Sequence, residues 1–252
     1  MDGRTPPGAG TPTPRIGTLA RPPGDILARQ APGEELVLGL DEAGRGSLVG
    51  PLVVGGFVLP RSRLPLLVPS GVRDSKQLTP SQREAVYRHL GSTGRRLAVS
   101  LAPAVVDRHV RRGALNHLEA RAFGQLVRRS GATMVYADAC DPVAPRFGRE
   151  IARWAGDGVR VIAEHRADVN RPVVAAASIV AKVRRDRAIA RLRETLGGGL
   201  GSGYPSDERT CDFVRDVLRS GAGTPEWVRA SWRTMARLKP RPTGPSLESF
   251  VP

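Results

Sequence analysis

The chain has little cysteine. Cys140 and Cys211 are its only two, too few for a disulfide framework, and with no CxxC pair and no Cys/His cluster they exclude the common structural zinc sites. A reducing compartment is expected, with the cytoplasm as the location. A long apolar run is also missing: the longest, Leu48 to Leu59, is broken by Gly50, Pro51, Gly55 and Gly56 and is too short to span a bilayer. The N-terminus carries no apolar core of a secretory signal, and no internal repeat is visible. Acidic residues are scarce, with 24 Asp and Glu against 39 Lys and Arg, which leaves a net charge of +15. That balance, with a pI near 11.3, favours a polyanionic partner, nucleic acid before an anionic membrane surface. A compositional bias towards arginine, with no partner at all, would give the same charge.

Residues 1–33 carry repeated Pro and Gly, as in PPGAGTPTP, with few large apolar side chains, and are expected to form a disordered tail. Residues 239–252 are a second Pro-rich tail, and 34–238 read as one catalytic domain. Short apolar or alternating runs predict strands at Leu36–Asp41, Leu52–Leu59, Arg96–Leu101, Thr133–Ala137 and Val159–Glu164. Thr79 before Pro80 and Gln82 makes a capping box with proline at the first helical position, so a helix to about Leu90 follows. Further helices are expected over Ala114–Arg129, over Pro145–Trp154, and from Pro172 to the stop at Gly197 to Gly199. Arg61 to Gly71 reads as a loop, Ser206 as the cap of a helix to about Arg219, and PEWVRASWRTMARL as a last short helix. Contiguous strands followed by strands alternating with helices predict an α/β fold, a mixed five-stranded sheet flanked by helices.

One stretch organises the rest. In ELVLGLDEAGRGSLVGP, Glu35 to Pro51, an apolar strand delivers Asp41 and Glu42 to its end and then turns on Gly44 and Gly46. Two more carboxylates follow strands in the same way, Asp138 and Asp168. Acids gathered at one sheet edge repel one another unless cations neutralise them, and oxygen donors favour hard divalent ions such as Mg²⁺ or Mn²⁺. Two such ions form a clamp for in-line displacement at phosphorus, so a basic surface around an acidic centre reads as a metal-dependent nuclease. Singly, Asp138 or Asp168 could equally be a cap or a turn former.

Six segments, in order, carry a resemblance to a known family: GLDEAGRGSLVGPLV at Gly39, VRDSKQLTP at Val72, VYADACD at Val135, EHRADVNRPVVAAASIVAKVRRDR at Glu164, GSGYPSD at Gly201 and VRASWRT at Val228. Together they resemble ribonuclease HII, the type 2 ribonuclease H family, in its archaeal form. The resemblance implies a ribonuclease-H-like mixed five-stranded sheet with a helical C-terminal part. It also implies hydrolysis of the RNA strand of RNA/DNA hybrids and incision 5′ of ribonucleotides embedded in duplex DNA, as in ribonucleotide excision repair, leaving 3′-hydroxyl and 5′-phosphate ends. By motif, Asp41, Glu42, Asp138 and Asp168 are the expected ligands of two divalent ions. Gly44, Arg45 and Gly46 are expected to meet the 2′-hydroxyl, and Tyr204 to pack on the sugar at the RNA-to-DNA junction. Lys76, Ser178 and Lys182 are the expected phosphate contacts. The chain departs from the family pattern at Ser47, where proline is common, at Arg171, where an aromatic is frequent, and at Cys140, a position usually small and apolar. Leu247 and Phe250 in GPSLESFV faintly resemble the sliding-clamp-binding peptide of some archaeal members, which makes a clamp a candidate partner of an expected monomer.

Other readings stay open at this level. GRGSLVG distantly suggests a dinucleotide-binding turn, but its last glycine is one residue late for GxGxxG and it leads into a strand-like run. Another ribonuclease-H-fold nuclease, or a non-catalytic basic nucleic-acid-binding protein, would share the charge. Lys182 and the Arg184, Arg185, Arg187 run could also be a solvated helix face.

Overall fold

The computed structural model describes residues 33–68, 78–221 and 223–239. Lys76, Leu247 and Phe250 and nearly all of the expected tails lie outside the described residues. Five strands, β1 (Leu36–Ala43), β2 (Leu52–Pro60), β3 (Arg95–Leu101), β4 (Met134–Asp138) and β5 (Arg160–Glu164), form one sheet in the order β3-β2-β1-β4-β5. The first three pair antiparallel, whereas β1–β4 and β4–β5 are parallel, as helical crossovers require. The expected mixed sheet is therefore present.

Every residue of β2 is buried, because helices cover both faces of the sheet. Val53, Phe57 and Leu59 pack with α1 (Pro80–Thr93) and α6 (Pro172–Thr195) on one face. Val54 and Val58 pack with α3 (Leu115–Ser130) and α4 (Ala144–Ala155) on the other. The same period of two runs through β1, where Val37 joins the α6 layer and Leu38 and Leu40 the α3 layer. Continued to the end of the strand, it turns Asp41 towards α6 and Glu42 towards α3.

How close α6 lies to the sheet is decided by two glycines. A Cβ on Gly39 would fall inside the Val173 carbonyl, and one on Gly55 would lie 2.5 Å from the Ala177 carbonyl oxygen. Small residues on the helix, Ala175, Ala176, Ala177 and Ser178, complete the contact and are fully buried. Gly55 is the cross-strand partner of Asp41, so the contact brings α6 directly beside that carboxylate. Gly39→Ala is expected to destabilise the protein by more than about 3 kcal/mol, since backbone must move to admit the methyl. Urea denaturation checks this, and an unchanged midpoint would mean that the helix can slide.

The structure corrects four local expectations. A helix that periodicity did not suggest, α2, spans Pro103–Val110, with proline at its start. Part of the expected loop after β2 forms a 3-10 turn, Arg61–Leu67. Asp207 rather than Ser206 caps α7 (Glu208–Arg219), accepting from Arg209 N at 3.1 Å, and it also accepts from Ser202 N, so one carboxylate ties both ends of the loop. Only Arg233–Leu238, α8, is helical in the last segment. Upstream of it the backbone is engaged elsewhere: Val228 bridges Val49, Gly50 N donates to Trp227 O at 2.9 Å, and Arg229 N donates to Leu48 O at 2.9 Å. Trp227 and Trp232 pack in the small core of this C-terminal part.

Candidate active site

The turn after β1 is held on all sides. Gly44 has φ +83°, a left-handed conformation, and a Cβ there would meet Arg185 Nε at 2.5 Å and Pro51 O at 2.9 Å, so only glycine fits. Ser47 stands where proline is common and caps the turn, its hydroxyl donating to Gly44 O at 2.9 Å. Nothing lies within 4 Å of a Cβ built on Gly46, which leaves an open approach to the backbone. Leu48 N and Val49 N both donate to Gly203 O, at 2.8 and 3.0 Å, and so draw the Tyr204 loop against the turn.

The register of β1 and β4 sets Leu40 opposite Ala137 and hence Asp41 beside Asp138 at the ends of parallel strands. Asp138 accepts a hydrogen bond from Ala167 N at 2.6 Å, which ties β4 to α5 (Ala167–Asn170), where the buried Asp168 is the next residue. Asp168 thus sits on a short helix rather than in a loop. Burial, more than any other influence, pushes the Asp41 carboxyl up to about 7, and repulsion from Asp138 adds to it while Lys182 and Ser178 oppose it. Burial likewise holds Glu42 well above the usual carboxylate range, reinforced by Asp41, Glu119 and Asp138. The four predicted acids therefore share one end of the sheet, on elements far apart in sequence.

Ser178 and Lys182 lie one turn apart on α6, where both lower the Asp41 carboxyl and Lys182 Nζ donates to Ser178 Oγ. In the described structure they face a carboxylate. On the opposite face Arg45 is paired with Glu119 and Asn116 of α3, two residues that sequence reasoning missed; their i, i+3 spacing beside the Leu115, Leu118 stripe was the only available signal. Cys140 is half-buried and donates to Glu119 at 3.0 Å. Burial pushes the thiol well above its ordinary value, so it is a packing group rather than a thiolate.

Arg185 is not on a solvated face, as its place in a basic run allowed. It is 3% exposed, donates to Ser202 O at 3.1 Å, and lies 4.1 Å over the Tyr204 ring, filling the space left by Gly44. Arg229 is fully buried and donates to Arg45 O at 2.8 Å and to Gly50 O at 3.2 Å, gripping the turn by its carbonyls. Desolvation lowers it to about 10, which still leaves a cation near neutrality.

Among the described residues no three His, Cys, Asp or Glu side chains stand ready-made around one ion. The donor chemistry nevertheless fits hard divalent cations. The carboxylates are clustered, two of them are strained towards protonation by burial and mutual repulsion, and Glu42 Oε2 is buried without a hydrogen-bond partner. Asp41, Glu42, Asp138 and Asp168 are the residues that could hold them.

Sheet order, mixed strand directions and acids at the ends of β1 and β4 define a nuclease of the ribonuclease-H-like class. A family model described as Ribonuclease HII matches residues 38–235. A ribonuclease HII of Cenarchaeum symbiosum is 48% identical over 204 residues, covering 81% of this chain and 97% of its own. Among solved structures, ribonuclease H2 from Pyrococcus horikoshii superposes with a TM-score of 0.75 at 38% identity, covering 81% of this chain and 97% of that one. The PCNA:RNase HII complex from Archaeoglobus fulgidus gives 0.74 at 36%, covering 85% and 100%. The chain belongs to the ribonuclease HII family and is a ribonuclease H, an endoribonuclease acting on RNA/DNA hybrids.

Proposed function

We propose that the protein also incises duplex DNA 5′ of an embedded ribonucleotide, leaving 3′-hydroxyl and 5′-phosphate ends, with two divalent ions, Mg²⁺ or Mn²⁺, held by Asp41, Glu42, Asp138 and Asp168. The observation that carries this reading is the placement of Asp41 beside Asp138 across the β1–β4 register, next to a glycine turn with open backbone. Bound cations supply water activation and stabilisation of the leaving oxygen. The chain's own residues do the selecting. Gly46 leaves room for a sugar, Gly44 and Arg45 line the turn that would meet its 2′-hydroxyl, and the Tyr204 ring, backed by Arg185, presents a flat face beside it. Lys182 and Ser178, next to Asp41, are proposed to contact a substrate phosphate. Lys76 is proposed as a further phosphate contact from its motif alone.

The direct test is a duplex bearing one ribonucleotide, incubated with Mg²⁺, with Mn²⁺ and with EDTA. Incision 5′ of the ribonucleotide, lost in EDTA, is expected; no cut at that position would confine the enzyme to long hybrids. Tyr204→Ala should slow this incision at least about tenfold while changing duplex affinity much less, because stacking orients the sugar. An unchanged rate would remove Tyr204 from the site.

The protein is read as a cytoplasmic monomer of one catalytic domain. Both cysteines are free, and no helix among the described residues is long and apolar enough to cross a membrane. Its C-terminal peptide, with Leu247 and Phe250, is proposed to engage a sliding clamp, as the Archaeoglobus fulgidus protein is found with PCNA. Calorimetric titration of that peptide against a clamp should give saturable heat at micromolar concentration, and a flat trace would end the idea.

A further inference from the structure

Two side chains outside the four proposed metal ligands hold Arg45 from behind. Asn116 and Glu119 stand one turn apart on α3 and so share a face. The Arg45 fork is split between them: Nη1 donates to Glu119, and Nη2 donates to Asn116 Oδ1 at 2.6 Å. Each of the two also grips the loop after β4. Cys140 Sγ donates to Glu119 Oε2 at 3.0 Å, and Asn116 Nδ2 donates to Asp141 Oδ2 at 2.8 Å. Asp141 is itself fixed by Arg146, at 2.7 and 2.9 Å, and by Val143 N at 2.7 Å. The Glu119 side chain is wholly buried, while that of Arg45 keeps 32% exposure. A carboxylate this far from water adds little stability over an apolar residue of the same volume, so its presence points to orientation.

We propose that Asn116 and Glu119 are positioning residues, a two-point receptor for the Arg45 guanidinium that yokes the turn facing the sugar to the loop following Asp138. Ribose selection and placement of the β4 acid are then set by one face of α3. The inference rests on the proposed reading of the Arg45 turn, because the Arg45 side chain is the handle by which that turn is held.

The test uses the full chain in EDTA, where nothing is cut, and measures by fluorescence anisotropy the dissociation constants for a one-ribonucleotide duplex and the all-DNA duplex. Glu119→Gln keeps the shape and removes the charge, and Asn116→Ala removes the second contact. Each should lower the preference for the ribonucleotide duplex about tenfold, the size of one lost charge-assisted hydrogen bond. Affinity for all-DNA should stay within about twofold, a change too small to reflect a lost contact. Glu119→Gln added to Arg45→Ala should cost nothing more, since the two act through one contact. Equal weakening on both duplexes would mean that the pair only supports the fold, and would overturn the proposal. If Arg45→Ala collapses the preference while Glu119→Gln and Asn116→Ala leave it intact, the receptor is wrong and the turn reading stands. If Arg45→Ala leaves the preference unchanged, the turn reading fails and takes the receptor with it.

Discussion

Asp41→Asn is expected to reduce cleavage of hybrid and single-ribonucleotide substrates by more than about a thousandfold, because it removes a ligand shared by the proposed cations. In EDTA the same substitution should raise the melting temperature by several degrees, on the order of 1–2 kcal/mol. The reason is local. Asp41 is buried, sits beside Asp138, and has its carboxyl pushed up to about 7, so its charge opposes folding when no cation is bound. An amide keeps the shape without the charge. Single-turnover cleavage and thermal unfolding of one protein sample give both numbers. A retained rate would exclude Asp41 from the chemistry, and a lowered melting temperature would contradict the repulsion argument. Asp138→Asn should lose the rate as well.

Protons and divalent cations should compete for this site, which gives the second large effect. At limiting Mg²⁺, cleavage is expected to climb about tenfold per pH unit below pH 7 and to level off above it. Chelation should abolish it at every pH. Stability should move in the opposite sense without metal. A carboxylate raised from 3.8 to about 7 binds more protons folded than unfolded across that interval, so the metal-free protein loses stability as pH rises through it and changes little above 7. Against the opposing effect of burial, Asp141 is held below its ordinary value by hydrogen bonds from Val143 N and Arg146, Glu164 by one from Arg171, and Asp207 by those from Ser202, among other partners. Their contributions are lost only as pH falls below the usual carboxylate range, so they leave the interval from pH 5 to 7 clear. Melting in EDTA at pH 5 and pH 8, repeated with Mg²⁺, should show a fall that the metal reverses and that Asp41→Asn shrinks. No difference between the two pH values would mean that the acids are not electrostatically strained.

Much of this site is local in origin, and local origins are legible. The capping box at Thr79 forms as its spacing required, with Gln82 N donating to Thr79 Oγ1 at 3.3 Å and Thr79 N donating to Gln82 Oε1 at 2.8 Å. The five strands fall close to where apolar or alternating runs placed them, and β2, buried on both faces, shows the signature most plainly as a continuous apolar run. Arg185 and Arg229 were not legible as buried. Nothing in a basic run marks which arginine will lose its water, since that depends on Tyr204 and on the carbonyls of the turn after β1 arriving from elsewhere. The segment Pro225–Trp232 has helical composition, yet its backbone groups are consumed by Leu48 and Gly50.

The order of residues along the chain determined which carboxylates end strands, where the chain must turn on glycine, and that a basic molecule would carry an acidic centre. The first two are properties of a few neighbouring residues, and the third follows from composition and motif together. Only the tertiary structure decided that parallel pairing of β1 with β4 sets Asp41 against Asp138, that period-two alternation sends Asp41 and Glu42 to opposite faces, and that α3 reaches back to hold Arg45. Those facts depend on contacts between residues distant in sequence, and the free energy of a buried charge is set by whichever groups surround it once the chain has closed.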